Sequence, residues 1–112
     1  MKKSLCLVVA IFSGLMAAGL AGSVYAGGDA AAGKDKSLAC AGCHGPDGNS
    51  FAPNFPKLAG QHQYYISKQL KEFKSGVRKD STGMMLGMVA ALNEQDMADI
   101  SAYFSGQKIK AG

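Results

Sequence analysis

Three cysteines, two histidines and three prolines are all that 112 residues contain of those types. Each shortage excludes something. Cys6 sits in the leading apolar stretch, so the remainder of the chain keeps only Cys40 and Cys43. Two cysteines so close build no disulfide framework, because a bridge closing that small a loop removes little entropy from the unfolded chain. A zinc site on that pair needs two more ligands. His62 is the only histidine outside the Cys40–His44 stretch, and no other cysteine is left. No alternating apolar and polar run reads as a strand, which removes the mixed α/β scaffold that a thioredoxin-like redox pair normally follows. There is no run of basic residues of the kind that binds nucleic acid. Nor is there an internal repeat or a second domain.

Long apolar runs are scarce too. Leu5 to Leu20 is the one candidate, and it falls below the ~20 residues of a usual membrane span. It follows the basic tip Met1-Lys2-Lys3 and precedes Val24-Tyr25-Ala26, a small-x-Ala cleavage site. Together these read as a secretory signal peptide, residues 1–26, removed with Cys6 inside it. The rival reading is an uncleaved anchor. Cleavage after Ala26 leaves one domain, residues 27–112, with no membrane insertion of its own. Of the 12 basic residues, Lys2 and Lys3 leave with the signal, so 10 stand against 8 acidic, a net charge of +2. A domain this small buries a modest core and often needs a disulfide, a metal or a cofactor to hold it.

What remains is patterned as helix. Asp29 caps an alanine-rich start, and Leu38 and Ala39 continue that helix towards Cys40. Gly45 to Gly60, punctuated by Pro46, Gly48, Pro53 and Pro56, reads as loop. Gln61 to Lys74 resumes helical spacing, with Tyr65, Gln69, Leu70 and Phe73 on roughly one face and Gly76 as its stop. Arg78 to Gly83 is polar loop. Asn93 begins the clearest helix: an N-cap with Asp96 three residues on. Its buried stripe is Met97, Ile100 and Phe104, and Gly106 ends it.

The chemistry lies in Cys40-Ala41-Gly42-Cys43-His44. Cys-x-x-Cys-His is the attachment signature of c-type haem. On a helical turn, residues three apart lie on one side, so both thiols can form thioethers with the two vinyl groups on one porphyrin edge. His44 follows at once and brings an imidazole to the iron. Far along the chain, Met84, Met85 and Met88 crowd a loop that can cross the other haem face. Methionine often completes the axial pair of a haem whose first ligand is histidine. The residues alone leave open which of the three it is. Met97 belongs to the helical stripe.

Five stretches carry a resemblance. They are GDAAAGK (28–34), CAGCHGPDGNS (40–50), APNFPKLAGQ (52–61), YYISKQLKEFKSG (64–76) and LNEQDMADISAYFSGQ (92–107). In this order they resemble the class I c-type cytochromes, above all one half of the two-haem c-four group and its single-haem bacterial relatives. The departure is a single Cys-x-x-Cys-His, which implies one haem domain. The resemblance implies an all-α fold, three main helices around one covalently bound haem c. It implies thioethers at Cys40 and Cys43 and an axial iron ligand at His44. Its methionine ligand stands eight residues before the cap of the last helix, which here is Met85; Met84 is the alternative and Met88 the packing residue. Pro56 matches the proline whose carbonyl accepts the proximal imidazole N–H, a bond that fixes ring orientation and ligand basicity. Leu58 is expected to pack on the porphyrin. Gly33 and Tyr103 match the close crossing of first and last helices. His62 reads as a surface residue.

The expected function is periplasmic single-electron transfer between redox proteins, without an enzymatic reaction. Lys57, Lys68, Lys71, Lys74, Arg78 and Lys79 form a candidate collar for an acidic partner. Two other readings stand beside it: an electron-entry subunit of a larger oxidoreductase, and a gas-binding haem protein with an open sixth site.

Overall fold

The computed structural model describes residues 27–111. The expected signal peptide and Cys6 lie outside the described residues. Five helices follow one another: α1 (Ala30–Lys36), α2 (Leu38–His44), α3 (Gln63–Ser75), α4 (Met84–Val89) and α5 (Glu94–Ser105). The described residues hold no strand. The architecture is all-α, helix packed on helix.

Asp29 starts α1 as its sequence position suggests, with Oδ1 accepting from the N–H groups of Ala31 at 2.9 Å and Ala32 at 3.3 Å. The helix does not run on to Cys40. Ser37 interrupts it: its hydroxyl donates to the Lys34 carbonyl and its N–H to the Gly33 carbonyl. Such local bonds offer serine an alternative to the helix ladder. The haem motif therefore has a short helix to itself, closed by Gly45 at φ +82°.

α3 begins two residues later than its spacing suggests and ends at Gly76 in the left-handed region. Its buried face also differs. Ile66, Leu70 and Phe73 are buried, whereas Tyr65 is 46% exposed. The tyrosine sits one position off the i, i+4, i+7 stripe that Ile66 leads. α5 has the full capping box: Asn93 Oδ1 accepts from Asp96 N–H at 2.8 Å, and Asp96 Oδ2 accepts from Asn93 N–H at 3.0 Å.

The core is where α3 and α5 meet, with Met97, Ile100, Tyr103 and Phe104 against Ile66, Leu70 and Phe73. Val89 joins it from α4. Phe104 is fully buried; burying a side chain of that size contributes roughly 1.5–3 kcal/mol. α5 also crosses α1 closely. A Cβ added to Gly33 would lie 1.9 Å from the Asp99 carbonyl oxygen and 2.9 Å from Tyr103 Cβ. Only glycine lets the two backbones approach that far.

An ion-pair network locks the same crossing. Lys36 Nζ bridges Asp96 at 2.9 Å and Asp99 at 2.7 Å. Asp99, 2% exposed, also accepts from the Asp29 N–H and the Gln95 side chain. Burial pushes its carboxyl up, but Lys36 and these N–H donors outweigh that and hold it below the ordinary carboxylate range.

Candidate haem-attachment site

Sequence order puts Cys40, Cys43 and His44 on one turn, and α2 realises it. The two thiols are free and half-buried. Cys40 packs against the edge of the core. Burial, and then its neighbour Cys43, push the Cys40 thiol above its usual range.

His44 is 7% exposed. Its Nδ1 lies 2.7 Å from the Pro56 carbonyl oxygen. A carbonyl can only accept, so Nδ1 carries a proton and Nε2 is the ring nitrogen left for a metal. A buried imidazole with one nitrogen held by a backbone carbonyl is the arrangement of a metal ligand.

The loop between them is folded back on itself. The Gly48 carbonyl accepts from the N–H groups of Leu58 at 2.8 Å and Ala59 at 3.1 Å. Tyr103 reaches in from α5, its hydroxyl donating to the Pro46 carbonyl at 2.6 Å. That bond gives Tyr103 a polar role besides filling the helix crossing. Leu58 is half-buried against the core, and the Pro56 side is exposed. A cleft of about 310 Å³ between Phe51, Phe55 and Pro56 flanks this loop without including either cysteine.

The methionine cluster is not in a loop. Met84 to Val89 form α4, which packs on α3. The helix start has a signal in the sequence, Asp80. Its Oδ2 accepts from the Met84 N–H at 3.0 Å and the Thr82 hydroxyl at 2.7 Å, capping the turn that starts the helix. Met85 is half-buried and packs against the core, on one face with the buried Val89 four residues on. Met84, Leu86 and Met88 are 47%, 46% and 43% exposed. Their apolar surface has no cover among the described residues. His62 is exposed at the start of α3.

These residues fit haem. Two neighbouring thiols, a buried imidazole with a free nitrogen and uncovered methionine surface are the donor set and the soft apolar contact such a group needs. They do not fit zinc: among the described residues no three His, Cys, Asp or Glu side chains come together as a metal site.

An all-α domain with Cys-x-x-Cys-His on a helical turn defines a class of protein, and the chain belongs to the cytochrome c family, whose model matches residues 30–108. That family implies covalently bound haem c. Within it the chain is related to the c4 group of class I cytochromes. It is 51% identical over 98 residues to cytochrome c4 of Pseudomonas aeruginosa, covering 88% of this chain and 48% of that one. It is 44% identical over 82 residues to cytochrome c-554(548) of Halomonas halodenitrificans, covering 72% of this chain and 99% of that one. The solved structure of reduced recombinant cytochrome c4 from Pseudomonas stutzeri matches with a TM-score of 0.70 and 50% identity, over 76% of this chain and 48% of that one. The chain thus spans about half the length of its c4 relatives.

Proposed function

We propose that this chain is a one-haem electron carrier that works in the periplasm after removal of residues 1–26, passing single electrons between redox proteins. The observation that carries the reading is the buried His44, with Nδ1 donating to Pro56 and Nε2 free, at the end of the helix that holds both cysteines. When bound, haem supplies an iron that cycles between ferrous and ferric.

The chain's own residues do the rest. Cys40 and Cys43 would tether the group. His44, oriented by Pro56, would give iron one ligand. Met85 would give it the second. Of the three clustered methionines it is the one packed inward, which supports it over Met84. Met84 and Met88 shield the site from water, and Leu58 adds apolar contact. A thioether is neutral and soft and favours ferrous over ferric iron relative to a second imidazole. If His44 and Met85 both held the iron, no position would be left open for a substrate or a gas, which suits a carrier over an enzyme or a gas sensor.

A basic collar bears on the choice of partner. Lys68 pairs with Glu72, Lys57 and Lys74 reach backbone carbonyls, and Arg78 covers the Phe73 ring at 4.6 Å. Lys71 and Lys79 are exposed and are the cations we assign to steering an acidic partner.

Absorption spectra of the oxidised and reduced holoprotein test the site. A weak band at the red end of the oxidised visible spectrum marks iron–thioether ligation. Met85→Ala removes it, lowers the reduction potential and admits exogenous ligands. Met84→Leu and Met88→Leu keep it. Loss of the band in Met84→Leu together with its survival in Met85→Ala would shift the assignment by one residue.

A further inference from the structure

Beyond α5 the chain stays on the molecule. Residues 107–110 run back across the loop that joins His44 to Pro56, and Asn49 makes the junction. Its Nδ2 donates to the Lys108 carbonyl at 2.9 Å, and its Oδ1 accepts from the Lys110 N–H at 2.8 Å. Both ends of one amide are spent on the tail, and Asn49 is 7% exposed. Lys110 also grips the loop on both arms. Its Nζ pairs with Asp47 at 2.6 Å, and its carbonyl accepts from Lys57 Nζ at 2.8 Å. Ile109 sits over Gly60, where an added Cβ would come within 2.7 Å of its Cγ1.

The two arms are the ones that matter. Asp47 and Asn49 lie on the arm leaving His44; Lys57 is next to Pro56. We propose that residues 107–110 form a strap which, through Asn49, keeps the Pro56 carbonyl on His44 Nδ1 and so sets the reduction potential. The Asn49 side chain bonds to Lys108 and Lys110 and acts through the two arms; it is a positioning residue. The hydrogen bond closes a 12-residue span. Without the strap, the arms can part in local openings far cheaper than global unfolding, and water takes the place of the carbonyl. The bond makes the imidazole more basic, and a more basic ligand favours ferric iron. A tight strap therefore holds the potential down, and a loosened one lets it rise.

The inference rests on His44 as proximal ligand. The experiment uses haem-loaded parent protein, Asn49→Ala, and a chain ending at Gln107. Three quantities are read: solvent exchange of the His44 Nδ1 proton by NMR, the reduction potential, and the unfolding midpoint. Both variants should exchange that proton about tenfold faster than the parent. Both should shift the potential upward, and combining them should add little, since each removes the same junction. Unchanged exchange and potential beside a lowered unfolding midpoint would overturn the strap as a positioning device and leave it a structural tie. If Asn49→Ala does not accumulate, the shortened chain decides, since its cut lies beyond α5. Failure of the shortened chain to fold also overturns the proposal. A parent whose spectrum showed no histidine-ligated haem would sink the ligand assignment itself, a separate outcome.

Discussion

Two regions of this small domain are built on opposite terms. At the α1–α5 crossing, backbone meets backbone at Gly33, and a buried carboxylate is held by a lysine, a backbone N–H and a glutamine. At α4, six residues whose first N–H is capped by Asp80 from outside the helix lean on α3 and leave three large apolar side chains nearly half exposed. The first region is complete within the protein. The second has apolar surface that the described residues do not cover, in the part of the chain assigned to the second haem ligand. The α1–α5 crossing is thus closed by the chain's own groups, whereas α4 would owe its cover to the haem proposed for the site.

The largest expected effect breaks the second region. Cys40→Ala combined with Cys43→Ala would remove the proposed covalent anchor, and little folded protein should accumulate. Recovery of a stable, haem-free helical domain, seen by circular dichroism, would show that α4 and its neighbours do not depend on the group. Next comes the same type of change made in both regions. Gly33→Ala places a methyl group against the α5 backbone and should destabilise the holoprotein by ~3 kcal/mol in denaturant unfolding, since overpacking against atoms that cannot yield costs at the upper end of its usual range.

The acid limb of stability reports on the first region more gently. Asp96 and Asp99 are held below the ordinary carboxylate range, and Asp47, through Lys110 and the Asn49 N–H, is lowered to about 2. A carboxyl whose folded value is depressed stabilises the fold above its unfolded value and loses that contribution as pH falls through the folded one. Stability should therefore be level near neutrality and fall from about pH 4 towards pH 2. Asp99→Asn should flatten that fall in a pH series of thermal unfolding, while lowering stability at pH 7. The smallest effect has the opposite sign. Gly87 lies on α4 with nothing within 4 Å of an added Cβ. Gly87→Ala should stabilise by ~0.5–1 kcal/mol, the ordinary helix preference. A clear loss instead would mean that the α4 surface lies tight against the bound group.

Much of this was legible in the chain because it is local chemistry. The cap at Asp29, the capping box of Asn93 and Asp96, the stripe of Met97, Ile100 and Phe104, and the stop at Gly76 each depend on residues a few positions apart. The sequence is ambiguous where neighbours look alike or a cap is out of place. On α3 the expected face shares Leu70 and Phe73 with the buried one but leads with Tyr65 in place of Ile66; both are apolar, and only the position of α5 decides which is buried. The methionine cluster reads as loop because Gly83 interrupts the pattern and the capping side chain, Asp80, stands outside the usual N-cap position.

The sequence by itself determined that this protein carries Cys-x-x-Cys-His on a helical turn. Two thiols and an imidazole within five residues need only helical geometry to share one side. Tertiary structure alone decided which nitrogen of that imidazole is held. Nδ1 faces a carbonyl 12 residues away, and the arms around that bond are held by a tail 59 to 61 residues beyond Asn49. It also decided which methionine of α4 turns inward, because a six-residue helix has no preferred face until α3 and the core give it one.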